Sequence, residues 1–520
     1  MSWRSHVSYL ALVVLSCGLL ALKGDEPKPA DKPAGSDDKA ARAETDILPS
    51  VKEWNSDKFA APPTKFREGN VTPRKLDAKA TTETKSGFVI QLPSNAPIPT
   101  PSVYKGNLYV SGGFHSKEFY CFDAKTGKLV WGVDLDDDGP TSAACQDGVI
   151  TFSTESCTIF TLDAETGKQL WSLYLGDPLT NTPTIANGKV FTAYPARGAA
   201  GDGKGAKAAP PCSHVLAAFD LKTGKILWQR WIDSDVMSAP VAVDKELYVT
   251  SFAGVLYKLN QEDGTVLSAI KSRATSAPVV VGDKVYHTRR ADEGKGTAEE
   301  AISAGSRETL KEVAAGEKKN APYLDKSVQE KAKLKEESVK ADAANGLPTG
   351  NLLGGLGMAG GYSAGAFANV GQSNVSSMQA FQGSRILYYR DSNFNCMGDE
   401  IVCTDPATGK KRWAVKLEGD LKKEGGFLAS PPAAAGGQLF LTTLKGEVLR
   451  LDPDSGKITE RYKVESPVRF QPAVEGGMIY VGTQTGKVVC IDAGDAKFTG
   501  WPCWGGNPAH TGLPEGKGEK

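Results

Sequence analysis

The sequence predicts an all-β propeller of four-stranded antiparallel blades, and three observations carry that expectation. A nine-residue phrase headed by Asp and closed by Trp recurs along the chain. Three of its intervals are forty residues, a period that points to propeller blades or to helical pairs. The content of the period is β: short runs of aromatic and β-branched residues bounded by turn formers.

The phrase is Asp123-Ala-Lys-Thr-Gly127-Lys-Leu-Val-Trp131. It returns as Asp163-Ala-Glu-Thr-Gly167-Lys-Gln-Leu-Trp171, Asp220-Leu-Lys-Thr-Gly224-Lys-Ile-Leu-Trp228 and Asp405-Pro-Ala-Thr-Gly409-Lys-Lys-Arg-Trp413. Worn copies stand at residues 260–264, 452–456 and 492–495. The Asp carboxylate can accept from backbone N–H groups two or three residues on, and the Gly supplies the positive φ of a tight hairpin. The phrase therefore joins the third strand of a blade to the fourth. Its Trp lies on the fourth strand, where packing between blades buries on the order of 200 Å².

Upstream of each phrase lies a strand such as Leu108-Tyr109-Val110, Leu247-Tyr248-Val249 or Ile479-Tyr480-Val481. Before that comes a Pro-led apolar strand, as at Ala239-Pro240-Val241 and Ala277-Pro278-Val279. One blade cannot bury both faces, so the blades must close into a ring, which also removes terminal edges. The last phrase lacks a normal fourth strand, and Gly87-Phe88-Val89-Ile90-Gln91-Leu92 is placed to supply it. Seven blades are expected from the copies counted; an eighth hidden in the long insert is the weaker alternative.

Flanking segments complete the organisation. Residues 9–22 form an apolar run behind Arg4, so residues 1–24 read as an export signal. Within it Val14-Leu-Ser-Cys17 looks like a lipobox, leaving lipid attachment at Cys17 and plain cleavage near Gly24 both open. Residues 25–85 are rich in Pro, Ala, Lys and Asp and are expected as a flexible spacer. The propeller takes residues 86–512, interrupted by an insert at residues 291–384. The first half of that insert is rich in Ala, Glu and Lys and expected as exposed helix; the second is Gly-rich low complexity. A loop at residues 196–212 and a disordered tail at residues 513–520 complete the chain. Past Leu22 no segment is apolar enough to span a membrane.

A net charge of +0, from 61 basic and 61 acidic residues, leaves no electrostatic footprint for nucleic acid. Outside the signal the cysteines are Cys121, Cys145, Cys157, Cys212, Cys396, Cys403, Cys490 and Cys503. An exported chain permits disulfides, with Cys145–Cys157 and Cys490–Cys503 as local pairs, and buried thiols as the equal alternative.

The D-x-x-T-G-K-x-x-W phrase on this period resembles the PQQ-like repeat, the family of quinoprotein alcohol dehydrogenases and of the non-enzymatic, BamB-like lipoproteins of outer-membrane assembly. Trp501-Pro-Cys-Trp-Gly-Gly506 looks like a W-P-x-x-G-G motif at the margins of such propellers. The dehydrogenase branch implies PQQ stacked on a Trp, calcium, an Asp base and two adjacent cysteines, and no two cysteines are adjacent here. The repeat name is therefore not read as a cofactor.

Other motif matches fail on context. Gly355-Leu-Gly357-Met-Ala-Gly360 and Gly361-Tyr-Ser363-Ala-Gly365 lie in the Gly-rich tract without the strand and helix that a phosphate loop or nucleophile elbow needs. His6, His115, His214, His287 and His510 show no zinc-ligand spacing. Asp134-Leu-Asp136-Asp-Asp138-Gly139 copies the first half of a calcium loop, but Cys145 stands where a bidentate Glu belongs; a solvated acidic turn is the plainer reading. The expectation is a monomeric, non-catalytic propeller of the periplasm or cell envelope that binds unidentified envelope proteins. A PQQ- and calcium-using oxidoreductase or ligand binder is the alternative.

Overall fold

The computed structural model describes residues 44–176, 181–196, 207–292, 298–321, 324, 384–421, 427–501, 505–507 and 509–510. The export signal, Cys17, the Gly-rich half of the insert and the tail lie outside these residues.

The described residues form eight antiparallel blades where seven were expected. Blade 1 shows the pattern: Ser102–Tyr104 innermost, then Asn107–Ser111, Glu118–Asp123 and Leu129–Leu135. Blades 2 to 4 occupy residues 144–174, 184–232 and 241–271. Blades 6 and 7 occupy residues 386–416 and 433–463, and blade 8 begins at residue 473. Strands alternate in direction, so in each blade the turns between strands one and two and between three and four lie on one face, the phrase face. The turns between strands two and three, and the links between blades, lie on the other, the link face.

Blade 5 corrects the count. Its strands are Val279–Val281, Lys284–Arg290, Glu299–Ser306 and Glu312–Ala315, with Lys319–Asn320 added against Glu299–Ser306. Residues 299–320 thus carry three strands where exposed helix was expected. The blade's phrase is worn to Ser306-Arg-Glu-Thr-Leu310-Lys. The turn survives: Leu310 N–H donates to Ser306 O at 2.7 Å, and Leu310 takes the left-handed φ of 62° that Gly supplies elsewhere. Ala314 stands where the intact copies carry Trp.

Ring closure is as the sequence placed it. Gly87–Gln91 pairs antiparallel with Lys487–Asp492, Phe88 opposite Cys490 and Ile90 opposite Val488, and completes blade 8.

The stretch ahead of that strand departs from expectation. Residues 44–85, read as part of a flexible spacer, form a belt around the outer strands. Thr45–Asp46 pairs with Val266–Lys271 of blade 4, and a short helix, Leu48–Trp54, buries Val51. Asn55 brackets Trp231 of blade 3, accepting from its N–H at 2.8 Å and donating to its carbonyl at 3.0 Å. Arg67 bridges Tyr174 of blade 2. Val71–Arg74 then pairs with Leu129–Leu135 of blade 1, and Thr81–Thr84 with Gly87–Gln91 of blade 8.

Candidate functional site

The repeated residues do what strand mechanics asks of them. Asp123 Oδ1 accepts from the N–H of Thr126 at 2.8 Å and from its hydroxyl at 2.7 Å. Gly127 N–H donates to Asp123 O at 2.9 Å with φ 65°. Thr126 holds the Asp123 carboxyl below its ordinary range. Asp163, Asp220 and Asp405 repeat the arrangement.

Each Trp reaches into the next blade. Trp131 Nε1 donates to Ala164 O at 3.1 Å, Trp171 to Leu221 O at 2.9 Å, Trp228 to Gln261 O at 2.9 Å and Trp413 to Pro453 O at 3.0 Å. The phrase Gly has a second duty that its sequence did not reveal. A Cβ on Gly167 would lie 2.7 Å from the Trp131 ring, and one on Gly224 2.6 Å from Trp171. At the ring seam Phe88 takes the Trp's place, 2.5 Å from such an atom on Gly127.

Described residues of the C-terminal segment meet the inner strands of the ring at two places. Gly500–Trp501 pairs with Ala433–Ala435, the innermost strand of blade 7. Ile185 N–H, on the innermost strand of blade 3, donates to Ala509 O at 3.0 Å. Blades 7 and 3 stand four places apart in a ring of eight, so these contacts take axis-facing edges on opposite sides. His510 is buried there, its Nδ1 3.3 Å from Pro183 O, and burial lowers its pKa to about 3.

Around this segment a collar of hydroxyls ties blade to blade. Ser142 donates to Thr100 O at 2.7 Å, Thr100 to Gln471 O at 2.9 Å and Thr184 to Pro240 O at 2.5 Å. Between blades 5 and 6 a buried Arg385–Glu300 ion pair is bonded to Thr275 and Thr288. Such a pair is costly to break from one side, since it leaves a buried charge uncompensated.

Two serine–histidine contacts were not foreseen. Ser213 Oγ is 2.8 Å from His214 Nδ1, and Ser272 Oγ is 3.3 Å from His287 Nε2. Neither makes a catalytic relay, because the far nitrogens, His214 Nε2 and His287 Nδ1, meet no carboxylate. Burial lowers these histidines to about 3 and about 4. Nearby, Asp233 accepts from Tyr257 at 2.7 Å and from Ser251 at 3.1 Å, and burial raises its carboxyl to about 6. Asp235, fully buried, is raised by burial to about 7.

The acidic run is taken apart by the fold. Asp134 pairs with Arg74 of the belt at 2.5 Å, and Asp137 accepts from the hydroxyls of Thr154, at 2.7 Å, and Thr158. Asp138 instead meets His115 and Glu155, with ligand atoms of all three within 4.8 Å of one another. Among the described residues Asp134 and Asp136 do not join that cluster. Burial, then the neighbouring Glu155, raises the Asp138 carboxyl.

The described cysteines stand as thiols. The expected Cys145–Cys157 pair is not made: Cys145 Sγ turns to Ala143 O and Cys157 Sγ to Ala193 O, each at 3.9 Å, in different core clusters. Cys503, expected partner of Cys490, lies outside the described residues.

A quinone would need a Trp face open to the axis. The described Trp side chains, Trp54, Trp131, Trp171, Trp228, Trp231 and Trp413, pack instead between blades or against the belt, Trp231 donating to Ala60 O at 2.9 Å. Among the described residues no helix is long and apolar enough to cross a membrane.

A family model described as outer membrane protein assembly factor BamB matches residues 115–206, 212–323 and 398–499, more than half of the chain. No curated protein matches the sequence. Similar solved structures include BamB from Moraxella catarrhalis, 14% identical, TM-score 0.49, covering 79% of this chain and 99% of that one. Quinohemoprotein alcohol dehydrogenase from Comamonas testosteroni is 13% identical, TM-score 0.49, covering 81% and 78%. The computationally designed Ika8 protein is 13% identical, TM-score 0.49, covering 77% and 98%.

Proposed function

Since the chain belongs to the family described as outer membrane protein assembly factor BamB, we propose that it is a non-catalytic scaffold, exported from the cytoplasm, that holds other proteins of the cell envelope. The observation that carries this reading is the axis of the ring. Propeller blades surround a central channel, and here the chain's own Gly500–Trp501 and Ala509 bond to the inner strands of blades 7 and 3. The described phrase Trp side chains are engaged in blade packing, and buried His214 and His287 lack a carboxylate relay. A binding surface then belongs on the outside of the ring, as fits a protein partner.

The test is affinity capture of the full chain from solubilised envelope, with thermal unfolding in the presence of PQQ and calcium alongside. Recovery of a discrete outer-membrane assembly component supports the scaffold. Clear stabilisation by PQQ with calcium would overturn it in favour of an oxidoreductase or ligand-binding propeller.

A further inference from the structure

His115, Asp138 and Glu155 come from three separate segments of the link face. His115 is in the turn between strands two and three of blade 1, Asp138 in the link from blade 1 to blade 2, and Glu155 in the corresponding turn of blade 2. His115 Nδ1 lies 3.2 Å from Glu155 Oε2. Backbone bonds fix the three segments to one another. His115 N–H donates to Glu155 Oε1 at 3.1 Å, Glu155 N–H to Asp138 O at 3.0 Å, and Gly139 N–H to Ser116 O at 2.7 Å. His115 sits at φ 61°, a conformation uncommon for a side-chain-bearing residue and held here by those bonds. Gly139, at φ 63°, leaves the space that Glu155 fills, since a Cβ there would lie 2.2 Å from Glu155 Cγ.

An ion pair between His115 and Glu155 accounts for one edge of this triangle but leaves Asp138 facing Glu155 as a second carboxylate. Among the described ion pairs neither carboxylate meets a Lys or Arg. The cluster offers an ion two carboxylate oxygens and one imidazole nitrogen. Ligands held at about 2.0–2.2 Å from one ion stand roughly 3–4 Å apart; here His115 Nδ1 and Glu155 Oε2 are 3.2 Å apart and all three ligand atoms lie within 4.8 Å of one another. We propose that His115, Asp138 and Glu155 form a divalent transition-metal site, zinc by ligand type, that staples blade 1 to blade 2. Imidazole selects zinc over calcium, which takes oxygen ligands. The proposal is independent of the scaffold reading, because its readouts are metal binding and blade stability.

The experiment is calorimetric titration of the metal-stripped full chain with Zn²⁺ and, separately, Ca²⁺, followed by thermal unfolding. The wild type should bind one Zn²⁺ per chain with a dissociation constant of 10 µM or tighter, and its Tm should rise. His115→Ala and Asp138→Asn should each weaken binding at least tenfold. Their metal-free Tm should match the wild type's, which separates lost ligation from misfolding. Cobalt substitution should give a ligand-field absorption band that both variants lose. Weaker wild-type binding, zinc affinity untouched by both substitutions, or binding of Ca²⁺ alone would overturn the site.

Discussion

Blades 3 and 6 carry the same intact phrase, yet their outermost strands live in different surroundings. In blade 3 that strand, Ile226–Ile232, reads I-L-W-Q-R-W-I, and the belt lies over it through Asn55 and Ala60, with Trp231 1% exposed. In blade 6 the strand Lys411–Lys416 reads K-R-W-A-V-K and alternates between exposed and half-buried residues. Blade 7 resembles blade 6, with Ile458–Lys463 reading I-T-E-R-Y-K. An outer strand offers unpaired backbone groups that invite edge-to-edge association. The chain answers this in two ways: blades 4, 3, 2, 1 and 8 have the edge paired or covered by residues 44–85, which also reach blade 5 where Glu312 N–H donates to Glu44 at 2.9 Å, and blades 6 and 7 have it lined with charge. The difference teaches that apolar outer strands here depend on the belt, while charged ones stand without it.

Removing the belt is the largest test of that contrast. Deleting residues 44–85 while keeping the closing strand Gly87–Gln91 should uncover the edges of blades 4, 3, 2, 1 and 8 together. We expect loss of several kcal/mol, a Tm lower by about 10 °C or more, and self-association visible by light scattering. A monomer with an unchanged Tm would show that the outer strands need no cover.

The next test compares the tryptophans themselves. Trp171, under the belted half of the ring, is 8% exposed, whereas Trp413 in blade 6 is only half-buried. Trp171→Ala should cost about 3–5 kcal/mol, the range for a buried aromatic, and Trp413→Ala about half as much, read as Tm losses by calorimetry. Equal losses would mean that cover by the belt adds nothing to blade packing.

The blades were legible in the sequence where the chemistry is local. A turn needs its Asp and Gly within five residues, so the phrase at Asp123 or Asp405 announces itself, and Phe88 was placed correctly by strand pattern although it substitutes for a Trp. Blade 5 was missed because Leu310 can adopt a left-handed φ without being Gly, and because Ala314 carries no aromatic signal. The belt was missed for a different reason. Its pairing at Val71–Arg74 uses backbone groups, and its polar composition reads as disorder unless the edge it covers is known. The candidate site was the least legible part. Asp138 was singled out, but its companions His115 and Glu155 come from other turns, and only the packing of blade 1 on blade 2 brings them together.

Asp235 offers a smaller effect on the belted side, in the link between blades 3 and 4. Burial raises its folded-state pKa from 3.8 to about 7, so its contribution is present in full below the unfolded pKa and is lost as pH rises through about 7. Between pH 6 and pH 8 that loss is about 1.4 kcal/mol, from ~1.4 kcal/mol per pKa unit. Buried His214, His287 and His510, whose pKa values are lowered, act oppositely and lose stability as pH falls, which flattens the wild-type curve. Asp235→Asn should therefore gain Tm relative to wild type as pH rises from 6 to 8. A difference independent of pH would mean that Asp235 is ionised throughout.

The smallest effect on stability separates neighbours on one strand. Val130, Leu170, Leu227, Leu267 and Val313 are exposed at 48%, 41%, 42%, 43% and 59%, and each occupies the same place in its phrase, one residue before the Trp position. Blades 6 and 7 carry Arg412 and Thr459 there. Strand alternation turns Trp228 inward and leaves Leu227 to solvent, so Leu227→Glu should change stability by no more than about 0.5 kcal/mol. If the envelope partner docks on this row, the double variant Leu170→Glu with Leu227→Glu should lose most of the captured partner while keeping its Tm. Arg412→Glu, on the charged side of the ring, should leave capture intact. Full recovery by the double variant would move the docking surface off the belted blades and onto the charged edges of blades 6 and 7.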